Sequence, residues 1–153
     1  MGLLYDYFRA PGVAEVRSHM DADDAFSPVP EVFDGIDLKG IDPTVVLGRL
    51  VGLVTDRGWA PDLGQDRLVW PEGGEQDLEH EGPWVTVLDD RVRDVLAGVA
   101  AERVPDLAGR WAATEEFGRP GDAEFLRDVV SDLAALAMRA RERGESLYCW
   151  MSL

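Results

Sequence analysis

The stretch DAEFLRDVVSDLAALAMRARERGESLYCWMSL, residues 122–153, decides how this chain folds. Phe125, Val129, Leu133, Leu136 and Ala140 recur at spacings of three and four, which lays them along one helix face. Asp122 stands where a carboxylate accepts from the free N–H groups of a first helical turn. Arg139, Arg141 and Arg143 crowd the negative end of the helix dipole, and Gly144 holds the usual stop position. Residues 147–153 then read as a strand, with Leu147, Cys149 and Met151 on one face and Tyr148 and Trp150 on the other. So apolar a strand needs a covered place in a sheet, since left exposed it would aggregate.

Upstream, residues 3–8 are aromatic and free of breakers, which predicts a first strand. Val13, Val16 and Met20 recur at helical spacing. Residues 21–37, rich in acids and holding Pro28-Val29-Pro30, read as a loop. Asp42 and Pro43 open a helix whose buried face is Val46, Leu47, Leu50, Val51 and Val54, widened by Val45 and Leu53 and closed by Gly58. Residues 67–70 and 84–88 predict two strands, and the connection 71–83 between them is too long for a tight hairpin. Asp89-Asp90 caps a helix with Val92, Val95, Leu96 and Val99 inward, and Pro105 opens another with Leu107, Ala108, Trp111 and Ala112 inward. The expected fold is a single α+β domain, residues 1–153. It has a small mixed or antiparallel sheet covered by about five helices, in a single pair of layers.

A chain of 153 residues with 46% hydrophobic content and five tryptophans has material for a real core. Thirty acids against fifteen bases leave a net charge of −15, and only one base, Lys39, is lysine. The charge is uneven: residues 61–90 hold nine of the acids against Arg67 alone, a net −8. Such a field repels phosphate backbones and anionic membranes and favours a basic partner or plain solubility. No nucleic-acid partner is expected. No stretch approaches the roughly 20 apolar residues that span a bilayer. The first residues lack the basic and apolar regions of a signal peptide, and Asp6 replaces the Ser or Thr of a myristoylation motif. The expected location is the cytoplasm, with no membrane partner.

Catalytic motifs do not emerge. Lys39-Gly40 has no glycine-rich loop before it, Gly73-Gly74 lacks the dinucleotide spacing, and no serine sits in a nucleophile elbow. His80-Glu81 resembles the start of a zinc helix, but Trp84 stands where the second histidine belongs and Pro83 breaks the helix. His80 is expected as a solvated loop residue. Asp21, Asp23 and Asp24 suggest a calcium loop, yet Phe26 replaces its turn glycine and Val32 its bidentate glutamate. The pairs Asp89/Asp90 and Glu115/Glu116 read as caps or solvated charge, and Cys149, among apolar neighbours, as an inert core thiol. No catalytic residue, metal ligand or cofactor is expected.

The layout resembles the YfbM-like family of bacterial proteins. The resemblance is carried by the Met-Gly opening strand, the approach to a buried helix from Asp37-Leu38 to Val54, the Gly82-Pro83 strand before the Asp89 helix, and the last helix running into Gly144 and an apolar strand. It implies a compact α/β or α+β domain and names no reaction.

Three functions remain open. The first is an immunity-type module that masks a basic surface on a protein partner through Trp70, Glu72, Glu75, Asp77, Glu79, Glu81 and Trp84, with the charge between Pro61 and Asp90 forming one outward face. The second is a small-ligand binder or enzyme with a pocket between loop 21–38 and connection 61–83. The third is a housekeeping domain whose acidity serves only solubility.

Overall fold

The computed structural model describes residues 3–22, 25–57, 66–76, 79–117 and 122–153, with the backbone alone at Glu75 and Glu116. The last strand, β5 (Ser146–Ser152), lies at the centre of a five-stranded antiparallel sheet. On one side it pairs with β1 (Leu4–Ala10), which pairs in turn with β2 (Gly35–Lys39). On the other it pairs with β4 (Trp84–Leu88), which pairs with β3 (Asp66–Trp70). The order is β2-β1-β5-β4-β3, so β2 and β3 are the edges.

Central placement explains why β5 is apolar on both faces. Leu147 and Cys149 enter one core with Tyr5 and Tyr7 of β1, beneath four helices. These are α2 (Val46–Thr55), α3 (Asp90–Ala97), α4 (Val104–Ala112) and α5 (Ala123–Glu142). Tyr148 and Trp150 enter a second core on the opposite face, with Phe8, Val69 and Val85, covered by α1 (Val13–Ala22) through Val16 and Met20. The chain is therefore α+β as expected, but the sheet is covered on both sides. The single pair of layers describes only the larger half.

In α5, Asp122 accepts from the N–H groups of Glu124 and Phe125 as expected. The buried stripe is Leu126, Val129, Val130, Leu133, Leu136, Ala137 and Ala140. Phe125 is 54% exposed, because Leu126 and Val130 take the positions that its spacing had claimed. Each leucine of that stripe contributes roughly 1.5–3 kcal/mol by leaving water. Trp111 of α4 is fully buried, and its indole N–H donates to the Val46 carbonyl at 2.9 Å, joining α4 to α2.

Two boundaries differ from the sequence reading. Asp42 does cap, accepting from the N–H groups of Thr44 and Val45, but residues 43–45 form a separate turn and α2 starts at Val46. It ends at Asp56 in the left-handed region, φ 59°, and Gly58 lies outside the described residues. The expected loop 21–37 contains the start of strand β2. Its Gly35 allows the close pairing with β1: a Cβ there would collide with the Tyr7 carbonyl oxygen and sit 2.8 Å from Phe8 Cβ.

Just before β2, Asp34 is a charged hub. Arg139 donates to both of its oxygens at 2.6 and 3.1 Å, and Arg9 to one at 2.8 Å. Arg9 also reaches Glu145 at 2.6 Å, so one chain of charges ties α5, β1 and the turn into β5 to the start of β2. Hydrogen bonding from Arg139 first, then from Arg9, holds the Asp34 carboxyl below its usual range.

Candidate functional site

Edge strand β3 and its neighbour β4 meet at the connection 71–83, to which five of the seven sequence-predicted residues belong. Trp70 leaves β3 and Trp84 begins β4, and the His80 ring stands between their indoles. Centroid distances are 6.0 Å to Trp70 and 5.5 Å to Trp84, with interplanar angles of 79° and 80°. These are edge-to-face pairs, in which a ring's positive edge meets its neighbour's negative face. The Pro83 carbonyl only accepts, so His80 Nε2 carries a proton and donates to it at 2.8 Å. Gly82, at φ +98°, closes the motif: a Cβ there would lie 2.8 Å from the Trp84 ring. His80 is thus a half-buried keystone of this tip, not the solvated residue that its polar neighbourhood implied. The two tryptophans, which bracket the tip, are each half-buried as well.

Helix α1 braces the same tip from the side. Arg17 and Asp21 lie one turn apart, next to the Val16–Met20 face that enters the second core. Arg17 Nε donates to the Val69 carbonyl at 2.9 Å, and Asp21 accepts from the Trp70 indole N–H at 2.9 Å. Asp21, weighed in the sequence as part of a calcium loop, is therefore an anchor for Trp70. Asp23 and Asp24 lie outside the described residues.

The described acids of residues 61–90 divide into two groups, and Asp62 lies outside the described residues. Glu72, Glu79 and Glu81 are exposed around the tip. Asp77 lies outside the described residues, as does the side chain of Glu75. Asp66, Asp89 and Asp90 stand at the other end of the hairpin, about 13 Å away along a five-residue strand. That group has structural partners. Asp66 accepts from Thr44, and Asp90 from Ser146 with Arg93 at 3.6 Å. Asp89 caps α3 and pairs with Arg91, whose hydrogen bonding pulls its carboxyl below the usual range. Among the described residues, the acids expected to form one outward face from Pro61 to Asp90 therefore stand at the two ends of the hairpin. The strand between them separates the two groups, and Glu72 and Glu81 at the tip are exposed with no ion pair among the described residues.

Beside the tip lies a cavity of about 310 Å³ whose lining includes Arg17, Arg67, Glu72, Gly74 and Gln76. It adjoins the connection, as the pocket reading expected, but its facing wall is Arg17 of α1 and not loop 21–38. Neither arginine was assigned to a site from the sequence, although Arg67 stood out as the lone base of residues 61–90. Fifty residues separate them, and only the packing of α1 on edge strand β3 brings them together.

A second feature had only a faint signal. Asp6 occupies an inward position of β1, in register with Asp37 of β2, and is 8% exposed. It accepts a hydrogen bond from Ser27. Burial raises its carboxyl above the usual range, with Asp37 adding to the effect and the Ser27 bond opposing it. An acid at the period-2 position between Leu4 and Phe8 was the available clue.

Cys149 is fully buried, and burial pushes its thiol well up, as befits a core residue. Among the described residues no group of three or more His, Cys, Asp or Glu is placed to hold a metal, and no helix is long and apolar enough to cross a membrane. No family model matches the chain, and neither a curated protein nor a solved structure matches it.

Proposed function

We propose that this chain is a protein-binding module of the immunity type, whose β3–β4 tip masks a basic surface on its partner. The observation that carries the reading is the separation of the acids into two groups. Those at Asp66, Asp89 and Asp90 are engaged in holding the fold, whereas Glu72 and Glu81 make no ion pair among the described residues and face solvent. A carboxylate held on a braced frame keeps its geometry without the ordering cost that a floppy loop meets on binding. His80, Asp21 and Arg17 supply that bracing here. Charge complementarity then speeds encounter and rejects acidic competitors, while the half-buried indoles of Trp70 and Trp84 offer anchors at the centre.

The test is capture of a basic protein from a lysate of the source cells by the immobilised chain. Replacing Glu72, Glu75, Glu79 and Glu81 by Gln and Asp77 by Asn abolishes capture on this reading. Replacing Glu102, Asp106 and Asp132, exposed on the helical side, leaves it intact. Rising salt weakens capture by the parent chain. Equal capture by the parent and the tip variant refutes the proposal.

A further inference from the structure

We propose that the cavity between α1 and β3 is a second site, which binds a small molecule through one carboxylate or phosphate group held by Arg17 and Arg67. The inference goes beyond the masking of a protein surface and shares only Glu72 with the tip carboxylates. Arg9, Arg91, Arg93, Arg110 and Arg139 are all in ion pairs. Arg17 and Arg67 make none among the described residues, yet both line the same cavity. Two guanidinium groups beside one cavity repel each other unless an anion lies between them, and their forked donors match the oxygens of a carboxylate or phosphate.

The geometry favours such use. Arg17 commits its Nε to the Val69 carbonyl, which fixes the guanidinium plane and leaves its two Nη groups as donors. Arg67 pairs in register with Val87, which packs on the second core, so Arg67 projects from the face of β3 that α1 covers. The turn 71–76 forms the third wall. Its Gly74 is packed so closely that a Cβ would lie 2.8 Å from Pro71 Cγ, which keeps that wall tight. Gln76 adds an amide that donates or accepts. The volume of about 310 Å³ lies at the small end of ligand pockets. Glu72 in the lining opposes accumulated negative charge, so the site suits one oxyanion group better than a polyphosphate.

The full chain is titrated at constant ionic strength with inorganic phosphate and, separately, with succinate, and backbone amide shifts are followed by NMR. Chloride serves as the matched control. The proposal expects saturable shifts centred on residues 17, 67 and 72–76 with at least one probe, and the saturating probe identifies the oxyanion class. Arg67→Gln, at an exposed position, weakens the dissociation constant by about tenfold or more, since a charge-assisted bond is lost. Glu72→Gln tightens it, and Arg110→Gln on α4 leaves it unchanged. Shifts that do not saturate with either probe, that equal those with chloride, or that survive Arg67→Gln overturn the site. Capture of a protein partner is unaffected by Arg67→Gln, so the two proposals fail separately.

Discussion

Removing the His80 ring by His80→Ala tests whether the tip is a built structure. The ring makes two edge-to-face contacts, at 6.0 and 5.5 Å, and one hydrogen bond of 2.8 Å to Pro83. An aromatic pair of this geometry contributes about 0.5–1.5 kcal/mol, and a neutral hydrogen bond about 1 kcal/mol. All three rings are half-buried, which places each contribution at its lower end, so the loss is about 1–2 kcal/mol. For a domain of this size that lowers Tm by about 3–6 °C. His80→Phe keeps the ring edges and loses the hydrogen bond, so it recovers about half of the loss. Urea unfolding followed by tryptophan fluorescence measures the global effect. Amide exchange at residues 72–76 and 79–82 reads local opening, which rises in His80→Ala before the core is affected. Should His80→Ala match the parent within about 0.3 kcal/mol, with unchanged exchange at the tip, the keystone role is wrong.

Asp34→Asn is expected to cost about 1 kcal/mol near pH 7, a figure already reduced for the partial exposure of Asp34 and Arg139. Because the folded carboxyl titrates below its usual range, that stabilisation is present above the ordinary carboxylate pKa and is lost as pH falls through the lower folded value. The gap between parent and variant in urea therefore closes toward pH 3. Asp6→Asn has the opposite sign. Burial raises the folded pKa, so ionisation destabilises the parent as pH rises through that value, and the variant is more stable at pH 7 by up to about 1 kcal/mol. That advantage disappears in acid. Thr86→Val removes a buried hydroxyl that has no hydrogen-bond partner among the described residues, and a rise of about 1 kcal/mol in unfolding free energy is expected.

The sheet and its helices were legible wherever one residue pattern served one purpose. The closing strand announced its covered place by being apolar on both faces, and Asp89, Asp122 and Pro105 marked helix starts within a residue. Strand β2 was hidden because its only buried side chain is Leu38, and Asp34 beside it reads as loop although it holds two arginines from distant elements. At the tip, charge was visible but its arrangement was not. Composition counts the carboxylates of residues 61–90 together, while the strand between them sends Asp89 to a helix cap and Glu72 to solvent. His80 and Arg17 illustrate the same limit. Their roles come from neighbours supplied by β3, β4 and α1 packing together, and no local spacing encodes that.

Carboxyl-labelling of the chain, free and in complex with its captured partner, tests the binding surface most directly. Mass spectrometry then reads the modification of each acid by a carbodiimide and an amine. Glu72, Glu79 and Glu81 are expected to label readily in the free chain and to lose most of that labelling in the complex, while Glu102, Asp106 and Asp132 keep theirs. Protection confined to the helical side, with the tip still labelled in the complex, contradicts the account.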